Sequence, residues 1–136
     1  MISLLTSALI LFSVKNPCNK CKVEQDTLTG KSIYVTCDVE PECKGGIAVL
    51  LRQINKTVFI PDSLVTGNFD SHYTVSFIVE ADGQINGGRV IHDNTNQIGS
   101  LILKAVKNCR WIPGECNGKK VRVLYTYSTI IDIQKE

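Results

Sequence analysis

The chain has 136 residues, a net charge of +2, and 43% hydrophobic against 21% charged side chains. That length allows the core of one small domain with some chain to spare. The near-neutral balance excludes the clustered basic face of a nucleic-acid binder, and the apolar share excludes a disordered polar chain.

The opening run, MISLLTSALILFSV, carries no charge. As a helix it would reach about 21 Å against about 30 Å of hydrocarbon, which is short for a membrane span and suits the apolar segment of a secretory signal. Residues 1–17 are therefore expected to be a signal-peptide-like segment or short anchor, and residues 18–38 a polar arm or linker. Cysteines at Cys18, Cys21, Cys37, Cys43, Cys109 and Cys116 agree with export, because exported chains keep disulfides. Nearness along the chain favours Cys109 with Cys116, Cys37 with Cys43, and Cys18 with Cys21, but spacing alone does not settle connectivity. A zinc site at Cys18, Cys21, Cys37 and Cys43 is the lesser reading, since the second pair is too widely spaced for the usual thiolate pattern.

The domain proper is expected over 39–136. Ile47, Leu50, Leu51 and Ile54 fall at one helical face, in a helix that ends by Asn55 or Pro61. In YTVSFIVEA, Tyr73, Val75, Phe77, Val79 and Ala81 alternate with Thr74, Ser76, Ile78 and Glu80, which predicts a half-buried strand. Asp82-Gly83 signals a tight hairpin with both turn residues at positive φ, and a return strand through Gly88–His92. Asn94 to Asn96 offer helix caps. Ile98, Leu101, Ile102, Ala105, Val106 and Cys109 then predict a second helix. Trp111 is a core plug at that helix's end, Pro113-Gly114 turns the chain, and Asn117-Gly118 launches a β-branched, aromatic last strand, VRVLYTYSTIIDI.

No reaction chemistry stands out. His72 and His92 sit at strand edges with no nucleophile motif beside them, and Gly83, Gly87 and Gly88 miss the spacing of a dinucleotide or phosphate loop. The chain is expected not to be an enzyme and to need no cofactor or metal.

The ordered set PECKGG, VSFIVEADGQINGGRVI and LILKAVKNCRWIPGECNGKKVRVLYTY resembles the C-terminal domain of TonB-type energy transducers, over about residues 39–133. The resemblance implies an α+β fold with a small antiparallel three-stranded sheet and two helices packed on one face. It implies a periplasmic module, exported or anchored to the inner membrane, that binds an extended segment of a TonB-dependent outer-membrane transporter in energy-coupled transport. Inner-membrane proton-channel proteins would be partners where a membrane anchor is present. The docking strand would be the last one, with Val121, Val123, Tyr125, Tyr127 and Thr129 as peptide-binding residues; the bland reading of the same side chains is a core face. The alternative function is an exported, disulfide-stabilised accessory protein that keeps the fold without energy transduction, since residues 15–36 are too short and too poor in proline for a long rigid spacer.

Overall fold

Alternation along 72–79 turns Tyr73, Val75, Phe77 and Val79 into one face, and all four are buried. This strand, β4 (His72–Val79), is the spine of the computed structural model, which describes residues 21–27, 29–64, 71–93, 95 and 97–131. Ahead of it come β1 (Lys22–Gln25), β2 (Ser32–Thr36), β3 (Glu42–Cys43), helix α1 (Ile47–Thr57) and a 3-10 turn (Asp62–Leu64). After it come β5 (Ile85–His92), helix α2 (Ile98–Lys107), β6 (Trp111–Ile112), β7 (Gly114–Cys116), β8 (Lys119–Val121) and β9 (Val123–Ile130). The apolar opening run lies outside the described residues; among those described, no helix is long and apolar enough to cross a membrane.

The expected three-stranded antiparallel sheet is not what forms. The main sheet has five strands in the order β1-β2-β9-β4-β5, and β3-β6 and β7-β8 make two further two-stranded sheets. The fold is mixed α+β, with two helices among the described residues. The additional strands come from residues 22–36, expected as a polar arm. All four β1 side chains are exposed, so the strand has no buried face and leaves no alternating apolar signal in the sequence. The β2–β9 contact is parallel, with Tyr34 opposite Val123, whereas β4 runs antiparallel to both β9 and β5.

Two turns show how far local sequence carries. Asn117 (φ 54°) and Gly118 (φ 77°) both take the left-handed conformation, as an Asn-Gly hairpin between β7 and β8 requires. At Asp82-Gly83 only Gly83 has positive φ (87°), and Gly83 N–H donates to the Glu80 carbonyl while Glu80 N–H donates to that of Gln84. The hairpin thus has a three-residue loop instead of the tight pair expected. A Cβ at Gly83 would also stand 2.5 Å from the Trp111 carbonyl oxygen, so glycine is needed there twice over.

The helices close the main core against the β4–β9 face. On α1 the buried stripe is narrower than expected: Leu50 and Ile54 are covered, but Ile47 and Leu51 are 58% and 43% exposed. The helix also runs on through Asn55 to Thr57. On α2, Ile98, Ile102, Ala105 and Val106 are buried, with Leu101 and Cys109 packed beside them. Of the expected caps, Asn94 and Asn96 lie outside the described residues. The groups that do satisfy the helix start are Asp93 Oδ2, accepting from Gly99 N–H at 2.6 Å, and Thr95 Oγ1, accepting from Ile98 N–H at 3.2 Å.

Trp111 joins these layers. It is 6% exposed, its ring meets Phe77 edge-on at 5.2 Å and Tyr125 at 5.6 Å, and its indole N–H donates to the Val106 carbonyl in the last turn of α2 at 2.9 Å. Trp111→Ala should therefore destabilise the domain by about 3–5 kcal/mol in chemical denaturation. Trp111→Phe should cost less, about 1–3 kcal/mol, because it removes the hydrogen bond and part of the volume but keeps an aromatic ring. A parent-like midpoint for the alanine variant would contradict the core assignment.

Candidate functional site

The sequence points to β9 as a docking strand, and the structure decides which of its groups face outward. On one side β4 covers β9 along its whole length, from His72 opposite Ile130 to Val79 opposite Val123. On the other side β2 reaches only its beginning: Tyr34 lies opposite Val123, and Tyr34 N–H donates to the Arg122 carbonyl at 2.9 Å. Among the described residues, no other strand pairs with that side of β9.

Backbone groups alternate sides along a strand. The Arg122 carbonyl faces β2, so the backbone groups of Leu124, Thr126, Ser128 and Ile130 point the same way, off the sheet edge. The other end of the strand agrees, because Ile131 N–H donates to the Ser71 carbonyl on the β4 side at 3.1 Å. The open stretch, from Thr126 to Ile130, can take a short extended segment of roughly five residues, about 16 Å long.

The side chains expected to bind the peptide point elsewhere. Val123 and Tyr127 are buried, and Tyr125 packs against Phe77 and Trp111. Val121, on β8, and Thr129 are half-buried on the same inward parity. Tyr125 and Tyr127 belong to the main core beneath the helices, and Val123, with Val121 packed against it, to the smaller cluster around Cys37 and Cys116. The even-numbered side chains Thr126, Ser128 and Ile130 are exposed, and Ser128 Oγ lies 3.0 Å from Thr74 Oγ1 across the sheet. Sequence alternation already separated the two sets; which set faced solvent needed the partner strand.

Two ion pairs hold the borders of this edge. Arg122 Nε donates to both carboxylate oxygens of Glu80, at 2.8 and 3.1 Å, tying the start of β9 to the end of β4. At the far end of the arm, Arg89 on β5 donates to Asp26 Oδ1 at 2.7 Å, and the Asp26 side chain is only 2% exposed. Because β1 and β5 are opposite edges of the sheet, this contact shows the β1–β2 hairpin curling across the sheet's outer face. Ile33 and Leu124 line the small hollow beneath it.

The base of the arm is covalent: Cys21 is bonded to Cys116, with Cα atoms 6.0 Å apart. Bridging 95 positions of sequence, the bond is worth roughly 4–5 kcal/mol in the chain-entropy account. This replaces the expected pairs Cys109–Cys116, Cys37–Cys43 and Cys18–Cys21; Cys37, Cys43 and Cys109 are free thiols, and Cys18 lies outside the described residues. The physical reason is that the cysteines fall into two apolar clusters. Cys21, Cys37 and Cys116 meet beside Val123 and Tyr34, whereas Cys43 and Cys109 belong to the main core. The same division defeats a zinc site using Cys21, Cys37 and Cys43. Among the described residues the one close group of metal-ligating types is Cys21, Asp38 and Cys116, and its two sulfurs are already joined to each other. His72 and His92 are exposed residues on the neighbouring strands β4 and β5.

Cys37 is buried under the arm, and its thiol donates to Glu40 Oε2 at 3.0 Å. Burial, the Glu40 hydrogen bond and the charges of Glu40 and Asp38 push it from an ordinary 9.0 up to about 12. The folded state therefore holds this proton more tightly than the unfolded chain. The stabilisation is complete below pH 9 and is lost as pH rises towards 12. Melting midpoints of the parent should fall more steeply than those of Cys37→Ala over that window; parallel curves would mean that the thiol titrates as a free one.

No protein-family model matches this chain, and no curated protein matches it.

Proposed function

We propose that this chain is a TonB-like periplasmic module that binds an extended segment of an outer-membrane transporter by strand addition, within energy-coupled transport. The observation that carries the reading is the state of the β9 edge. Its beginning already accepts a parallel strand from the chain itself, and the stretch from Thr126 to Ile130 has no strand on that side among the described residues. Backbone pairing would supply affinity, and the exposed Thr126, Ser128 and Ile130 side chains would supply selectivity. Inner-membrane proton-channel proteins are the further partners of this reading.

A second reading is favoured by one specific feature. The arm that takes the beginning of the edge is fastened by Cys21–Cys116, which suits an exported accessory protein that keeps the fold without energy transduction.

Peptides from the N-terminal segments of outer-membrane transporters, titrated calorimetrically, separate the two. Proline removes an N–H donor and fixes φ, and at Thr126 or Ser128 the lost donor is one that β4 does not use. Thr126→Pro and Ser128→Pro should each weaken binding about tenfold, near 1.4 kcal/mol, while Tyr125→Phe and Tyr127→Phe change it little. Circular dichroism establishes that each variant is folded. Folded proline variants that bind like the parent would remove β9 as the docking edge, and a parent that binds no such peptide would leave the accessory reading. Cys21→Ser loosens β2 and should bind longer peptides more tightly, by opening the backbone of Arg122 and Leu124; unchanged affinity would mean that β2 never yields its place.

A further inference from the structure

Cys43 and Cys109 are distant in sequence and adjacent in space. Cys43 lies in β3 directly opposite Trp111 of β6, and the next residue continues the pairing, with Lys44 N–H donating to the Arg110 carbonyl at 2.8 Å. That register brings Cys109, two residues past the end of α2 and two before Trp111, close to Cys43. Both cysteines pack in the main core, and Cys43 is the neighbouring group that bears on the Cys109 thiol. Each also has a backbone carbonyl in reach: Lys44 for Cys43 at 3.7 Å and Ala105 for Cys109 at 3.6 Å. No other cysteine belongs to this cluster among the described residues.

We propose that Cys43 and Cys109 form a second disulfide, closed by a small soluble disulfide such as oxidised glutathione, which pins β3 to the C-terminal end of α2. Access distinguishes the two sulfurs. Cys109 is half-exposed and lines an open cleft of about 530 Å³ with Lys107, Arg110 and Asp82, whereas Cys43 is only 4% exposed. Cys109 as thiolate attacks one sulfur of the oxidant and expels one glutathione thiolate. Cys43 as thiolate then attacks the Cys109 sulfur of the mixed disulfide and expels the second. Two protein thiols lose two protons and two electrons, and one glutathione disulfide becomes two thiols.

The environment sets when this happens. Burial, with the Cys43 contact, holds the Cys109 thiol up at about 12, so little thiolate exists in the folded protein at neutral pH. The bond therefore closes fastest while the chain is folding, before the core excludes water, and afterwards exchanges slowly.

The test uses the full chain, refolded from the reduced state in a glutathione redox buffer, quenched with iodoacetamide and digested without reduction. The expected result is a cross-linked peptide joining Cys43 to Cys109 beside the one joining Cys21 to Cys116. Recovery of Cys43 and Cys109 both alkylated, or either joined to another cysteine, overturns the proposal. Melting of Cys43→Ala, Cys109→Ala and the double variant provides a second readout. A shared bond predicts that the double variant melts no lower than the lower single one in oxidised protein. Losses that add would mean two independent packing thiols, which also overturns it.

Discussion

The burial of one indole ring organises most of this molecule. Trp111 touches Phe77 on β4 and Tyr125 on β9, and its N–H donates to the Val106 carbonyl in the last turn of α2, which also accepts from the Cys109 N–H at 3.2 Å. Its backbone, in β6, pairs with Cys43 in β3 and approaches Gly83 so closely that no side chain fits between. Five separate pieces of chain thus take their positions from one residue. The inward turn of Tyr125 follows, and with it the parity of the whole last strand: odd side chains inside, even ones outside. The backbone face offered at the β9 edge is a consequence of that packing.

The arm obeys a different balance. Its outer strand has no buried side chain, so hydrophobic burial contributes little there, and the hairpin is retained by specific links at its two ends. One is the Cys21–Cys116 bond, which limits the unfolded chain more than it adds contacts in the folded one. The other is the Arg89–Asp26 pair, whose carboxylate is almost wholly covered. A charge taken from water is tolerable only with its partner in place, so this contact specifies where the hairpin tip rests more than it adds net stability. Between the two ends, β2 meets β9 in a single parallel register position. That is a modest hold on the edge.

Sulfur chemistry divides along the same lines. Cys21, Cys37 and Cys116 lie where the arm crosses the β7–β8 hairpin, and Cys43 and Cys109 lie under Trp111. Burial, and after it the carboxylates of Glu40 and Asp38 beside the first group, keep Cys37 protonated and therefore inert towards its neighbouring bridge. A free thiol beside a disulfide would otherwise reshuffle it.

Local sequence determined a good deal by itself: the alternation of β4, both helices, the Asn117-Gly118 turn and the burial of Trp111. Each depends on residues near one another along the chain, where periodicity and φ preferences act directly. The five residues Val121, Val123, Tyr125, Tyr127 and Thr129 were also legible as a set, because alternation groups them whatever surrounds the strand. Only the tertiary structure decided that this set faces the core and that its neighbours face out, since a strand pattern reads the same with either face buried. It also decided the fate of residues 22–36. Their exposed β1 strand has no apolar face to announce it, and their place in the sheet comes from backbone pairing and a bond to Cys116. Cysteine pairing was beyond the sequence for the same reason. Nearness along the chain favoured Cys116 with Cys109, but those two sulfurs belong to different cores, and a covalent bond forms only between atoms that the folded chain brings together.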